Sequence, residues 1–322
     1  MKKILVLHTG GTISMAEDAK SGAVLPSEQN PLIEKTKEIN HLADLIIEAP
    51  FNLPSPHISP KEMFQLKTRI DYHIANSSIE GVVITHGTDT LEETAYFLDL
   101  TIQTDIPIVI TGAMRSSNEI GADGLYNFLT ALRTAIHDHA KGKGVLVVLN
   151  DEIHAANNVT KTHTSNVSTF QSPQYGPIGI ITKKEILFHH HPQLEKKLPI
   201  HTLNHRVELI KAYAGMDSML FQALSHANID GLVIEALGQG NLPPACIPGL
   251  MQLLQKNVPI VLVSRCFNGI VEDVYAYDGG GAQLKKMGII FSNGLNGQKA
   301  RIKLQLALET TKDLSIINEL FQ

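Results

Sequence analysis

The chain has 322 residues, 43% hydrophobic and 18% charged, with 24 glycines, 15 prolines and no tryptophan. That balance is globular, too apolar for disorder and too interrupted by charge for a membrane protein. Its 27 Lys and Arg against 32 Asp and Glu give a formal charge of −5, which excludes the basic excess that draws proteins to nucleic acid or anionic membranes.

The amino terminus reads Met1-Lys2-Lys3 and then Ile4 to Leu7. The apolar run ends at His8 with no small-residue cleavage site behind it, so it reads as a first buried strand rather than a signal peptide. Further Val- and Ile-rich runs, without period-two alternation, lie at 81–85, 107–111 and 144–149. Such runs fit strands of a parallel sheet covered on both faces. Between them, 60–74, 91–100 and 123–137 carry apolar residues at three- and four-residue spacing, as Met63, Leu66 and Ile70 show, and are predicted helices. Residues 189–206 contain Pro192, Pro199, a cluster of histidines and the run Glu195-Lys196-Lys197; they read as a linker. Beyond it, 207–213, 231–236 and 259–264 are predicted strands and 248–255 a helix. A single core rarely grows past about 250–300 residues. The expectation is therefore a two-domain α/β protein: an N-terminal domain over 1–188 with a mainly parallel sheet, and a smaller flavodoxin-like domain over 207–322. Cys246 and Cys266 form no disulfide framework in a chain of this length, so a reducing compartment is expected, and with it a cytoplasmic location.

In open α/β sheets, ligands bind beyond the carboxyl ends of the strands. The first strand runs into His8-Thr9-Gly10-Gly11-Thr12, and the second predicted strand into His86-Gly87-Thr88-Asp89-Thr90. Glycines let backbone approach a ligand, and threonines add hydroxyls in the same volume. Either turn alone is equally a loop and helix cap; Thr90 with Glu93 fits the capping box. Phosphate-loop and dinucleotide glycine patterns are absent. Lys161, in the polar stretch Asn157 to Thr164, follows the 144–149 strand and should open onto the same face. Alone it is a surface lysine. Beside Thr88 and Asp89, its amine could serve as a base for a threonine hydroxyl. This chemistry requires no metal or cofactor.

The motifs Thr9-Gly10-Gly11-Thr12-Ile13 and His86-Gly87-Thr88-Asp89-Thr90, with Lys161 in its Thr-rich stretch, resemble those of the bacterial-type L-asparaginases, the cytoplasmic type I branch most nearly. The similarity runs from residue 3 to about residue 310, through Thr111-Gly112-Ala113-Met114-Arg115 and Gln298-Lys299-Ala300-Arg301. The resemblance implies hydrolysis of L-asparagine to L-aspartate and ammonia through a threonine acyl-enzyme. Thr12 matches the nucleophile, and Thr88, Lys161 and Asp89 match the family's Thr-Lys-Asp triad. Ser55, Gly11, Gly87, Thr88, Asp89 and Ala113 match substrate contacts. Asn241 matches an asparagine donated across an intimate dimer, which can pair into a tetramer. Two positions depart from the pattern: 13–32 contains no Tyr, Val24 standing where the family has one, and Pro56 replaces a side chain able to hydrogen-bond substrate. The base for Thr12 is then Lys161 acting through Thr88, or a water. Alternatives to this activity are amide transfer on another substrate and a non-catalytic amino-acid sensor.

Several other features carry bland readings. His189, His190 and His191 with His201 and His205 read as a solvated linker rather than a metal site. His8 and His86 read as strand-end residues bonded to the sheet top, and Cys266 as a packed free thiol. Residues 15–30, just after Thr12, read as a lid that closes on substrate.

Overall fold

The computed structural model describes residues 1–18, 21–26, 32, 39 and 41–322. The chain divides into two compact units, Met1–Lys197 and Leu198–Gln322. In the first, the main sheet contains β1 (Lys3–His8), β2 (Asp44–Glu48), β3 (Gly81–Thr85), β4 (Ile108–Thr111), β5 (Val145–Leu149), β6 (Glu152–Ala155), β7 (Gly179–Ile181) and β8 (Ile186–Phe188). The spatial order is β8-β7-β6-β5-β4-β3-β1-β2. The five strands from β2 to β5 are parallel, and β6, β7 and β8 extend the sheet antiparallel.

Every residue of β3, β4 and β5 is buried, because helices cover both faces. Ile4, Val6, Val83, Val109, Leu146 and Val148 pack against Phe128, Ala131 and Leu132 of α3 (Gly124–Ala135). The alternate residues, Leu5, Leu7, Val82, Ile84 and Val147, point to the other face and are equally buried. There α2 (Leu91–Thr101) packs on β5, and α1 (Pro60–Asn76) packs on α2. Helix α1 begins at a complete capping box, Ser59 with Glu62, and buries Met63, Leu66 and Ile70 at the predicted spacing.

The parallel strands run in the order 2-1-3-4-5. This is the doubly wound arrangement that reverses between β1 and β3 and opens a crevice at their carboxyl ends. The flavodoxin-like order expected of the smaller domain thus occurs in the larger one. The second unit is α/β as expected, but its strands β9 (Val207–Lys211), β10 (Gly231–Ala236), β11 (Ile260–Ser264) and β12 (Ile290–Phe291) lie parallel and in chain order. Same-handed crossovers between strands in chain order put α4 (Met219–His226) and α5 (Ile247–Gln255) on one face. There Phe221, Leu250 and Leu253 meet Leu232, Ile234 and Leu262. The other face is covered by Leu304, Ala307 and Leu308 against Val207, Val233 and Val261, from a helix that follows the last strand, Gly297–Thr310.

Residues 189–206 contain neither helix nor strand. Within the first unit, Tyr96 Oη donates to Glu195 Oε1 at 2.7 Å and Lys197 pairs with Asp99 at 3.4 Å, so residues 195–197 are anchored on α2. Among the described residues, no helix is long and apolar enough to cross a membrane.

Candidate active site

The turn after β1 is fastened to β3. Thr9 donates both its backbone N–H and its hydroxyl to the carbonyl of Thr85, at 3.1 and 2.9 Å. Gly10 and Gly11 then take φ values of +103° and +82°, where a side chain is strained. Space forbids one as well: a Cβ on Gly11 would stand 2.2 Å from Gly87 Cα. The two strand-end turns are therefore in backbone-to-backbone contact. Thr12 opens a single 3-10 turn, Thr12–Ser14, closed by Ser14 N–H donating to the Gly11 carbonyl at 2.8 Å. Thr12 is half-buried while Ile13 and Ser14 are buried.

In the second turn, His86 is wholly buried and its Nδ1–H donates to the Gly87 carbonyl at 2.8 Å. That tautomer leaves Nε2 to accept from the Thr94 hydroxyl at 2.9 Å. Ser55 is buried between the turns. Its Oγ accepts from Asp89 N–H at 3.2 Å, and its carbonyl accepts from the Thr90 hydroxyl at 2.8 Å. The capping box expected at Thr90 and Glu93 is not formed, since the Thr90 side chain makes no cap bond to α2. Its hydroxyl joins two turns instead. Ala113 is buried at the end of β4, beside Gly112, where a Cβ would meet the His86 carbonyl at 2.6 Å and Thr88 Cγ2 at 3.2 Å.

Lys161 reaches this place by a longer route than its position after β5 suggests. Asn150 and Asp151, at φ +50° and +65°, make a two-residue hairpin turn. Strand β6 then runs back along β5 until Ala155 sits beside Leu146. The chain turns there, with the Asn158 and Val159 N–H groups both donating to the Ala155 carbonyl at 3.1 Å, before it reaches Thr160 and Lys161. Thr160–Lys161 forms a two-residue strand paired with Phe170–Gln171. From it the Lys161 ammonium donates to Thr88 Oγ1 at 2.9 Å and to Asp89 Oδ1 at 2.7 Å. The side chain of Lys161 is 16% exposed and that of Asp89 56%, so a largely enclosed cation meets a carboxylate open to solvent. Glu92, the second residue of α2, is buried, and its Oε1 accepts from the Thr160 hydroxyl at 3.0 Å and from Lys161 N–H at 3.2 Å. Nothing in the sequence sets Glu92 apart from Glu93, since both are acidic residues in the first turn of a helix.

His8 lies under the first turn with Nδ1 on Thr85 Oγ1 at 2.8 Å. Burial pushes His8 down to about 4, and His86 likewise to about 4 against the opposing pull of the Gly87 carbonyl. Both rings stay neutral at pH 7. The unfolded chain binds more protons than the native one between about pH 4 and 6.5. The stability these rings confer is therefore complete above about 6.5 and is lost as the pH falls to about 4. Each shift corresponds to about 3 kcal/mol in full. The urea denaturation midpoint should fall steeply over that interval, and less steeply in His86→Gln; equal slopes would contradict the assignment.

The remaining candidates lie elsewhere. Asn241 belongs to the second unit, in the turn after β10, where its Oδ1 accepts from Gly281 N–H at 3.2 Å. Of the expected lid, Met15–Glu17 pairs antiparallel with Val24–Pro26, and Asn118 clamps it by accepting from Glu17 N–H and donating to its carbonyl, each at 2.8 Å. Positions 19–20 and 27–30 of that lid lie outside the described residues. Val24 is exposed. Cys266 is exposed rather than packed, and Cys246 is the buried thiol, pushed up to about 11 by burial. The His191 ring faces the Lys143 ammonium at 3.1 Å, and His205 bonds Glu309 at 3.0 Å. Among the described residues, no group of three or more His, Cys, Asp or Glu could hold a metal ion.

Residues 3–194 match the family described as "Asparaginase, N-terminal", and residues 206–321 match "Glutaminase/Asparaginase C-terminal domain". The chain is 38% identical to a probable L-asparaginase of Deinococcus radiodurans, covering 100% of this chain and 97% of that protein. It is 37% identical to L-asparaginase 2 of Bacillus subtilis strain 168, covering 100% and 86%. The crystal structure of a probable cytoplasmic L-asparaginase from Campylobacter jejuni superposes with a TM-score of 0.87 at 35% identity, covering 100% of this chain and 99% of that one. With both domain patterns present and its whole length shared with these relatives, the chain belongs to the asparaginase family.

Proposed function

We infer that this chain hydrolyses L-asparagine to L-aspartate and ammonia, with Thr12 as nucleophile and Thr88, Lys161 and Asp89 as the group that moves the proton. The observation that carries this reading is the convergence of three chain segments on one crevice. The Gly11 turn abuts Gly87, and Lys161 Nζ lies 2.9 Å from Thr88 Oγ1 and 2.7 Å from Asp89 Oδ1. Thr12 Oγ1 adds to the amide carbon as its proton passes to the base. The C–N bond then breaks, and nitrogen takes a proton and leaves as ammonia, giving an aspartyl ester. Water adds to that ester, and Thr12 regains its hydrogen as aspartate departs. Thr88 Oγ1 accepts from Lys161, so its own O–H is free to point away from the amine. With Lys161 as base, Thr88 can pass it a proton taken from Thr12 or from water.

The backbone N–H groups of the two glycine turns are suited to hold the developing oxyanion. Asp89, half open to solvent, is suited to the substrate's α-ammonium, with Ser55, Gly11, Gly87 and Ala113 shaping the crevice. We further propose that Asn241 of a second copy completes the site, so that the active species is an intimate dimer or a pair of dimers. Inactive Thr12→Ala and weakened Asn241→Ala chains, mixed and reassembled, should then regain activity; no recovery would oppose a shared site. Two free cysteines and the resemblance to the type I branch support a cytoplasmic location.

The test is a coupled ammonia assay with L-asparagine, L-glutamine and D-asparagine. L-asparagine is expected to be the preferred substrate. Saturable calorimetric binding of L-asparagine with no ammonia released would overturn the reading in favour of a sensor.

A further inference from the structure

Glu92 takes no part in the chemistry above, yet the residue is only 4% exposed. Burying a carboxylate is costly unless its oxygens are bonded. A helix start needs only an acidic side chain near its first turn, and the half-buried Glu93 next to it meets that need. What distinguishes Glu92 is its pair of donors, the Thr160 hydroxyl and the Lys161 N–H, both on Oε1.

A lysine amine on four rotatable bonds is placed only as well as its own main chain is. The strand carrying Lys161 has two residues and pairs with one partner, Phe170–Gln171. That is too little sheet to be rigid by itself. The hairpin continues through Thr162 N–H, which donates to the Thr169 carbonyl at 2.8 Å, and the strand is tied to the second turn by Glu92, which stands on the same helix start that follows Thr88 and Asp89. The 88–92 segment therefore meets the Lys161 strand twice, through the ammonium at Thr88 and Asp89 and through the main chain at Glu92.

We propose that Glu92 is a positioning residue: its carboxylate fixes the Lys161 main chain so that Nζ meets Thr88 and Asp89 together. This rests on the reading of Lys161 as part of the reaction. Misplacing a reacting group by an ångström can cost about a hundredfold in rate. Glu92→Ala is therefore expected to lower kcat by roughly 10- to 100-fold with KM changed less than about threefold. Glu92→Gln keeps an oxygen that can accept both bonds, and should restore kcat to within about threefold of wild type. The double variant Glu92→Ala/Lys161→Met should be no slower than Lys161→Met alone, because Glu92 acts through Lys161. Thr160→Val, which removes one donor and leaves the carboxylate in place, should give a smaller fall in kcat and provides a test should Glu92→Ala not fold. Unchanged kcat in Glu92→Ala, a Gln variant as slow as Ala, a full additional loss in the double variant, or wild-type kcat in Thr160→Val would each overturn the proposal. Wild-type turnover by Lys161→Met would instead remove the reading of Lys161 on which it rests.

Discussion

Thr12→Ala is expected to lower ammonia release from L-asparagine by roughly 10⁴-fold or more while leaving the denaturation midpoint within experimental error of wild type. The two halves of this expectation have separate causes. The turn is built by Gly10 and Gly11, by the contact of Gly11 with Gly87, and by the Ser14 N–H bond to the Gly11 carbonyl. Alanine keeps all of these, and the site is half open, so loss of one hydroxyl and one methyl costs the fold little. Loss of Oγ1 removes the atom that forms the ester. Thr12→Ser, which keeps a hydroxyl, should retain part of the activity. Coupled ammonia release beside thermal denaturation checks both halves, and turnover retained in Thr12→Ala would remove Thr12 from the nucleophile's place.

Lys161→Met should lower kcat by about 10²–10⁴-fold, the usual worth of a placed general base. Methionine fills nearly the same volume but donates to neither Thr88 nor Asp89. Because the Asp89 side chain is 56% exposed, water can take over its lost bond, and the fold should lose little. Thr88→Val, nearly isosteric, should fall into the same range. Combining the two should cost little beyond the slower single variant, because groups that act as a unit are strongly non-additive. Steady-state kinetics on the two singles and the double decide this, and independent, multiplying losses would show that Thr88 and Lys161 act separately.

The strands were legible because a doubly covered parallel sheet writes itself as uninterrupted apolar runs. The second predicted strand and the start of the helix after Thr90 coincide with Gly81–Thr85 and Leu91. The strand order was not legible: nothing in a five-residue run says which neighbours it takes, so the reversal between β1 and β3 fell in the larger unit rather than the smaller. The site turns were visible through their glycines and threonines. Their local grammar misleads at Thr90, where a cap motif gives way to a bond with Ser55, 35 residues away in the chain. Lys161 is expected at the carboxyl edge because it follows the 144–149 strand. It arrives there after a reversal through β6. Glu92 had no sequence signal at all, because its meaning depends on a long-range partner 68 residues away.

The most direct measurement is to quench the wild-type protein in acid during turnover of L-asparagine and locate the modified peptide by mass spectrometry. The account predicts an aspartyl ester on Thr12, in the peptide containing Gly10 and Gly11. An ester on Thr88 instead, or ammonia released at full rate with no ester on either threonine, would contradict it.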